Sequence, residues 1–171
     1  MTPSAQKYNT IGVGAQLVED YSSIYGFPFD EELVECTEVF EGGEIEIAGI
    51  LFEVIPVTEA FEIVIPKDNA VYMHMLGHDS HSLVFGMEGA DAELKRLQGY
   101  LDRGIDLYLS SHHSPESTDD VLLKMDYIRD LKKTASESRN AEEFASKVLR
   151  GHHGFAGKDF VEMSSWFFFD I

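Results

Sequence analysis

The sequence predicts a single α/β domain over residues 1–171, with a run of antiparallel strands first and helices around one further strand after it. Three observations predict it. Glu44-Ile45-Glu46-Ile47 alternates strictly between charged and apolar residues, the period of a half-buried strand. Turn signals then recur at short intervals, at Gly42-Gly43, Ala48-Gly49 and Pro66-Lys67-Asp68-Asn69. Beyond residue 90 the apolar residues fall at helical spacing instead: Leu94, Leu97 and Leu101, then Leu122, Met125, Ile128 and Leu131.

In chain order, Thr10 to Tyr25 carries Ile11, Val13, Leu17, Val18, Tyr21 and Ile24 at roughly helical spacing, and Gly26-Phe27-Pro28 stops that helix. Asp30 to Phe40 reads as loop with a short strand near Val39. Four strands follow: Glu44 to Ile47, Ile50 to Val57, Phe61 to Ile65 and Ala70 to Leu76. Asp91 to Leu101 is a helix ended by Gly104, and Ile105 to Leu109 is an apolar run too short for a helix, read as a buried strand. Ser117 can cap the helix that runs from there to Ala135, with Asp119 and Asp120 suiting its positive end. A shorter helix starts at Asn140 or Ala141. Gly151-His152-His153-Gly154 reads as an exposed loop. Asp159 to Phe169, with Trp166 and three phenylalanines, forms a terminal helix or strand.

Composition excludes several function classes. With 13 basic against 31 acidic residues and a net charge of −18, the chain lacks the basic footprint of a nucleic-acid binder. The same field repels anionic substrates unless a cation reverses it locally. No apolar run approaches the ~20 residues of a membrane span, and the polar start carries no signal-peptide core. A cytoplasmic protein is therefore expected, in keeping with the single cysteine, Cys36.

The chemistry-bearing residues concentrate in two clusters. Ala70 to Phe85 holds His74, His78, Asp79 and His81, and Ser110 to Glu116 holds His112 and His113. Each follows an apolar run read as a strand, so the two strand ends are expected to meet and hold a metal. Imidazole and carboxylate together suit zinc first, with iron or manganese as alternatives. Such an ion generates a hydroxide nucleophile from bound water. The plain alternative is that these histidines are hydrogen-bonded structural residues. Cys36 has no catalytic signature around it, Ser110 and Ser111 lack a nucleophile elbow, and Gly12-Val13-Gly14 completes no phosphate-binding fingerprint.

Thr58-Glu59-Ala60, the strand to Ile65-Pro66, Ala70-Val71-Tyr72-Met73, His74-x-x-x-His78-x-x-His81 and Ser111-His112-His113-Ser114-Pro115 come in an order and spacing that resemble the second half of alkyl-sulfatase-like members of the metallo-β-lactamase superfamily. The resemblance covers most of residues 10 to 150. It implies half of a metallo-β-lactamase-like αββα sandwich, with a mixed or antiparallel sheet. It also implies a metal-dependent hydrolase in which metal-bound hydroxide attacks an ester-type small molecule. By the same resemblance Glu59 corresponds to a metal ligand and His112 to the histidine ligand of a second metal. His74 stands where the family has a bridging carboxylate, and His78 and His81 match histidines beside the pocket. Asp79 and His113 complete the set of candidate ligands. Two departures stand out. The His-x-His-x-Asp-His motif is absent, with no histidine before His74, and Ser82 to Glu88 carries no basic residue to receive a sulfate. A half-fold implies association as a homo-oligomer or with a companion chain. The second reading of the same residues is a non-catalytic metal- or ligand-binding module or supporting subunit.

Overall fold

The computed structural model describes residues 2–26, 38–57 and 60–169. Glu59, Cys36 and the whole segment between Gly26 and Glu38 lie outside them. Among the described residues there are six α-helices and six strands, and the chain divides into two compact units, Met1–Met73 and His74–Ile171. No helix among the described residues is long and apolar enough to cross a membrane.

In the first unit, α1 (Pro3–Ile11) begins where Thr2 accepts the Ala5 N–H at 3.3 Å and Pro3 takes the first helical position, which needs no donor. The single helix expected from Thr10 is instead two. Gly12 is extended (φ −98°, ψ −160°) and separates α1 from α2 (Val13–Tyr25). Glycine is a poor helix former, and the Gly-Val-Gly stretch is where the helical pattern gives way. The expected stop holds: Gly26 adopts the left-handed conformation at φ 71° and donates to the Ser22 carbonyl.

Strands β1 (Gly43–Ile47), β2 (Ile50–Val57), β3 (Ala60–Ile65) and β4 (Ala70–Met73) form the expected antiparallel meander, in registers such as Ile45↔Phe52, Ile55↔Glu62 and Val64↔Val71. Ala48 and Gly49 both have positive φ, the turn type whose twist matches a two-residue hairpin. β1 corrects one expectation: it is exposed along its whole length, Ile45 and Ile47 included. It is the outer strand of the meander, so its alternation records no buried face. β4 stops at Met73, short of the expected Leu76.

In the second unit, α3 (Gly86–Asp102), β5 (Leu107–Ser110), β6 (Glu116–Ser117), α4 (Thr118–Ser136), α5 (Ala141–Gly151) and α6 (Asp159–Phe169) follow one another, with β5 antiparallel to β6. The Ser117 cap is present as a reciprocal capping box with Asp120, and Asn140 caps α5. The apolar stripes point inward, with one correction: Leu97 on α3, Met125, Ile128 and Leu131 on α4, and Phe144 and Val148 on α5 are buried, while Leu122 is exposed and Val121 is buried beside it. β5 is only partly the buried strand expected, because Tyr108 is buried while Leu107 is exposed. α6 resolves the helix-or-strand alternative. Phe168 and Phe169 pack on Phe144, Phe167 packs on Phe85, and Trp166 faces solvent.

Gly86 opens α3 at φ +69°, and a Cβ there would lie 2.5 Å from the Phe167 carbonyl oxygen. Left-handed strain and a clash with backbone act together. Gly86→Ala is expected to destabilise this unit by about 2–4 kcal/mol, read as a lowered urea midpoint. An unchanged midpoint would show that α3 and α6 separate at little cost.

Candidate metal centre

A tight turn and a loop form the site. Ser80 N–H donates to the Gly77 carbonyl at 3.1 Å, which puts His78 and Asp79 at the corners of the turn. Gly77 sits at φ +61°, and a Cβ there would meet the Met75 methyl at 2.6 Å, so the turn depends on glycine. The loop Ser111 to Pro115 joins β5 to β6 and carries His112 and His113. Ser111 N–H donates to the His74 carbonyl at 3.3 Å and holds the loop beside the turn.

The histidines meet in two pairs. The His74 and His112 rings lie edge-on with centroids 4.7 Å apart, and those of His78 and His113 lie edge-on at 5.3 Å. Burial, then the neighbouring His112, lowers the pKa of His74 below the ordinary histidine value. The second pair has a carboxylate. One donor atom each from His78, Asp79 and His113 lie within 4.8 Å of one another, close enough for a single ion. Asp79 Oδ1 is 3.0 Å from His113 Nε2. A hydrogen bond to the Ser114 carbonyl, followed by the bond to Asp79, raises the pKa of His113. The His113 hydrogen bond in turn lowers that of Asp79.

Side chains from β6 and α4 hold the turn from below. Glu116, 2% exposed, accepts the Gly77 N–H at 3.1 Å, the His78 N–H at 2.7 Å and the His78 ring at Nδ1, 2.8 Å. Lys124, also 2% exposed, donates to the Gly77 carbonyl at 2.9 Å and the Ser80 carbonyl at 2.8 Å. Burial pushes the Lys124 pKa down to about 8, against the pull of Glu93, Glu116 and Asp79. Asp120 uses one oxygen for the α4 capping box and places the other 3.5 Å from His78 Nε2. Its bond from the Ser117 backbone lowers its pKa.

Of the other expected ligands, Glu59 lies outside the described residues. His81 has a separate role. It is 1% exposed, with Nδ1 2.9 Å from the Tyr127 hydroxyl, its ring against Phe155 and Nε2 without a partner. Burial lowers its pKa to about 4. The expectation that His152 is a surface residue is corrected. It is half-buried, its Nε2 lies 2.9 Å from Asp130 Oδ2, and its ring packs against Tyr127 and Phe155. A cavity of about 380 Å³ joins the two regions, lined by His78, Asp79, Leu123, Asp126, Tyr127, Asp130, His152 and Phe155.

Sequence reasoning missed Glu116, Lys124 and Asp130. Lys124 left a signal: Val121, Lys124, Met125 and Ile128 share the spacing of the buried stripe of α4, so a lysine there needs buried acceptors. Glu116 and Asp130 left none in a chain that carries 31 acidic residues.

No family model matches the sequence, and no curated protein matches it. Among solved structures, a double mutant of the sec-alkyl sulfatase PisA1 aligns with a TM-score of 0.51 at 15% identity, covering 78% of this chain and 26% of that chain. The stereoselective inverting sec-alkylsulfatase Pisa1 from Pseudomonas sp. aligns with a TM-score of 0.48 at 16% identity, covering 80% and 24%. The chain thus spans about a quarter of the length of these proteins. At such identity the likeness concerns the fold alone. It agrees with the α/β, metallo-β-lactamase-like fold that the sequence resemblance implies.

Proposed function

We propose that this chain is a divalent-metal-dependent, hydrolase-like domain acting on an ester-type small molecule, with the cation held by His78, Asp79 and His113. The convergence of one donor from each of these three residues carries the reading. The donor set fits the group: two imidazoles and a carboxylate suit zinc, and each imidazole has a backing acceptor on Nδ1, in Glu116 for His78 and the Ser114 carbonyl for His113. A divalent cation bound there supplies Lewis acidity and lowers the pKa of a water it binds.

The chain's own residues do the rest. Leu123, Tyr127 and Phe155 give the adjoining cavity apolar walls for the body of a substrate. Asp126 and Asp130 line it as well, and no lysine or arginine does, so an uncharged ester fits better than a sulfate ester. His152, held through Nε2 by Asp130, is a titratable group on the same cavity, able to take or return a proton.

The absent His-x-His-x-Asp-His motif favours the second reading, a metal-binding module without turnover. Elemental analysis of protein purified without a histidine tag, with hydrolysis of p-nitrophenyl esters, separates the two. Stoichiometric zinc, iron or manganese with turnover lost in His113→Ala and kept in His112→Ala is the expected result. Metal without turnover makes the chain a module, and absence of metal returns all these histidines to structural roles.

A further inference from the structure

We infer that Glu116 is a positioning residue that sets the tautomer of His78 at the proposed centre, keeping the proton on its Nδ1 and leaving its Nε2 lone pair bare. The inference rests on the metal reading for its purpose, but its geometry stands independently.

A carboxylate can only accept, so each contact of Glu116 identifies a donor. Its Oε2 takes the Gly77 N–H, and its Oε1 takes the His78 N–H at 2.7 Å and lies 2.8 Å from His78 Nδ1. A bare Nδ1 would set two lone pairs against each other at that distance, so the ring carries its proton there. His113 Nδ1 lies 3.1 Å from the Ser114 carbonyl, which also only accepts, and 3.6 Å from the same Glu116 oxygen. Its Nε2 lies 3.0 Å from Asp79 Oδ1, which also only accepts, so His113 faces acceptors at both nitrogens and Glu116 does not choose between them. With Nδ1 protonated, the neutral His78 imidazole offers Nε2 as its only lone pair, 3.5 Å from Asp120 Oδ1. A bare nitrogen facing a carboxylate oxygen leaves a place for a positive charge.

Burial gives Glu116 the leverage to do this. At 2% exposure it has no water to satisfy it, and the two backbone N–H groups that it takes belong to the turn carrying His78 and Asp79. The same carboxylate therefore fixes where the ring sits and which nitrogen it presents. A backing acceptor of this kind raises the basicity of a ligating imidazole, and its loss typically costs about 10–100-fold in metal affinity.

The test reads the tautomer directly, on the full chain stripped of metal. Long-range ¹H–¹⁵N correlation of the imidazoles is expected to show His78 as the Nδ1–H form at a pH where it is neutral. In Glu116→Ala the His78 signal is expected to move to the Nε2–H form. In Glu116→Gln, which keeps the shape and can still accept, it is expected to become a mixture. Zinc affinity by titration calorimetry is expected to fall about 10–100-fold in either variant. Nε2–H at His78 in the wild type overturns the inference, and so does an unchanged pattern in both variants. If Glu116→Ala does not fold, Glu116→Gln and the wild-type spectrum decide the matter alone. Wild-type protein that binds no zinc yet shows the expected tautomer overturns the metal reading and leaves the role of Glu116 supported.

Discussion

Removing Asp79 and His113 together, as Asp79→Ala with His113→Ala, is expected to lower zinc affinity by well over the ~100-fold typical of a lost backing contact, with the fold intact. Only His78 then remains of the three donors that converge within 4.8 Å, and a lone histidine on an acidic protein holds zinc weakly. The fold survives because both side chains sit at the surface of the turn and loop, with Asp79 exposed and His113 half-buried. Their mutual bond is a surface ion pair, a class worth at most about 1 kcal/mol. Calorimetric titration with zinc, checked by circular dichroism, decides it: unchanged affinity in the double variant places any metal elsewhere. The pH dependence has a definite sign. The His113 pKa is raised, so protons compete for its ring from above the ordinary histidine value downward, and zinc affinity falls as pH falls through that range. Asp79→Asn removes one cause of the raised value and should shift this loss to lower pH.

Mild acid is expected to weaken the second unit through His81. Its pKa is about 4 in the folded protein against an ordinary 6.5, so the folded state favours the neutral ring. The stability this contributes is fully present above pH 6.5 and is lost as pH falls from there toward 4. At about 1.4 kcal/mol per pKa unit the loss is on the order of 3 kcal/mol. Physical cause and geometry agree: the ring is 1% exposed among Tyr127, Phe155 and His152, Nε2 has no partner to share a second proton, and Lys124 and Lys158 add repulsion. The other shifted groups act in other windows. Asp79 and Asp120, both lowered, contribute stability that is lost only below the ordinary aspartate range. His113, raised, contributes stability that is present below 6.5 and lost as pH rises through its folded value. Urea midpoints from pH 7 to pH 4 in wild type and His81→Phe give the measurement. A slope equally steep in both would mean that His81 is not the group that titrates.

The helices were legible because their signals are local. The stripe Met125, Ile128 and Leu131 and the Ser117–Asp120 capping box are marked by residues within a turn or two of one another. The break at Gly12 was less so, since helical spacing continues across it and only a weak propensity difference marks the interruption. The exposure of β1 was hidden for a different reason: alternation states that two faces differ, not that something covers one of them.

At the site, the two histidine clusters could be picked out by residue type, and their convergence depends on β5 returning the loop with His112 and His113 to the turn with His78. The sorting of those histidines could not be read in advance. His81 lies three residues from His78 yet is buried against Tyr127, and His152, expected at the surface, lies against Asp130.

By itself, the sequence determined the α/β class, the meander, the capped helix starts at Ser117 and Asn140 and the residue types able to hold a cation, because each rests on spacing within a dozen residues. Only the tertiary structure decided which imidazoles share a site, that Glu116 and Lys124 clamp the turn bearing them, and that His81 is a core residue. Those outcomes depend on contacts between residues far apart in the sequence, such as the bond from Lys124 to the Gly77 carbonyl 47 residues away. Burial turns such distant contacts into strong ones, and no local pattern encodes burial of that kind.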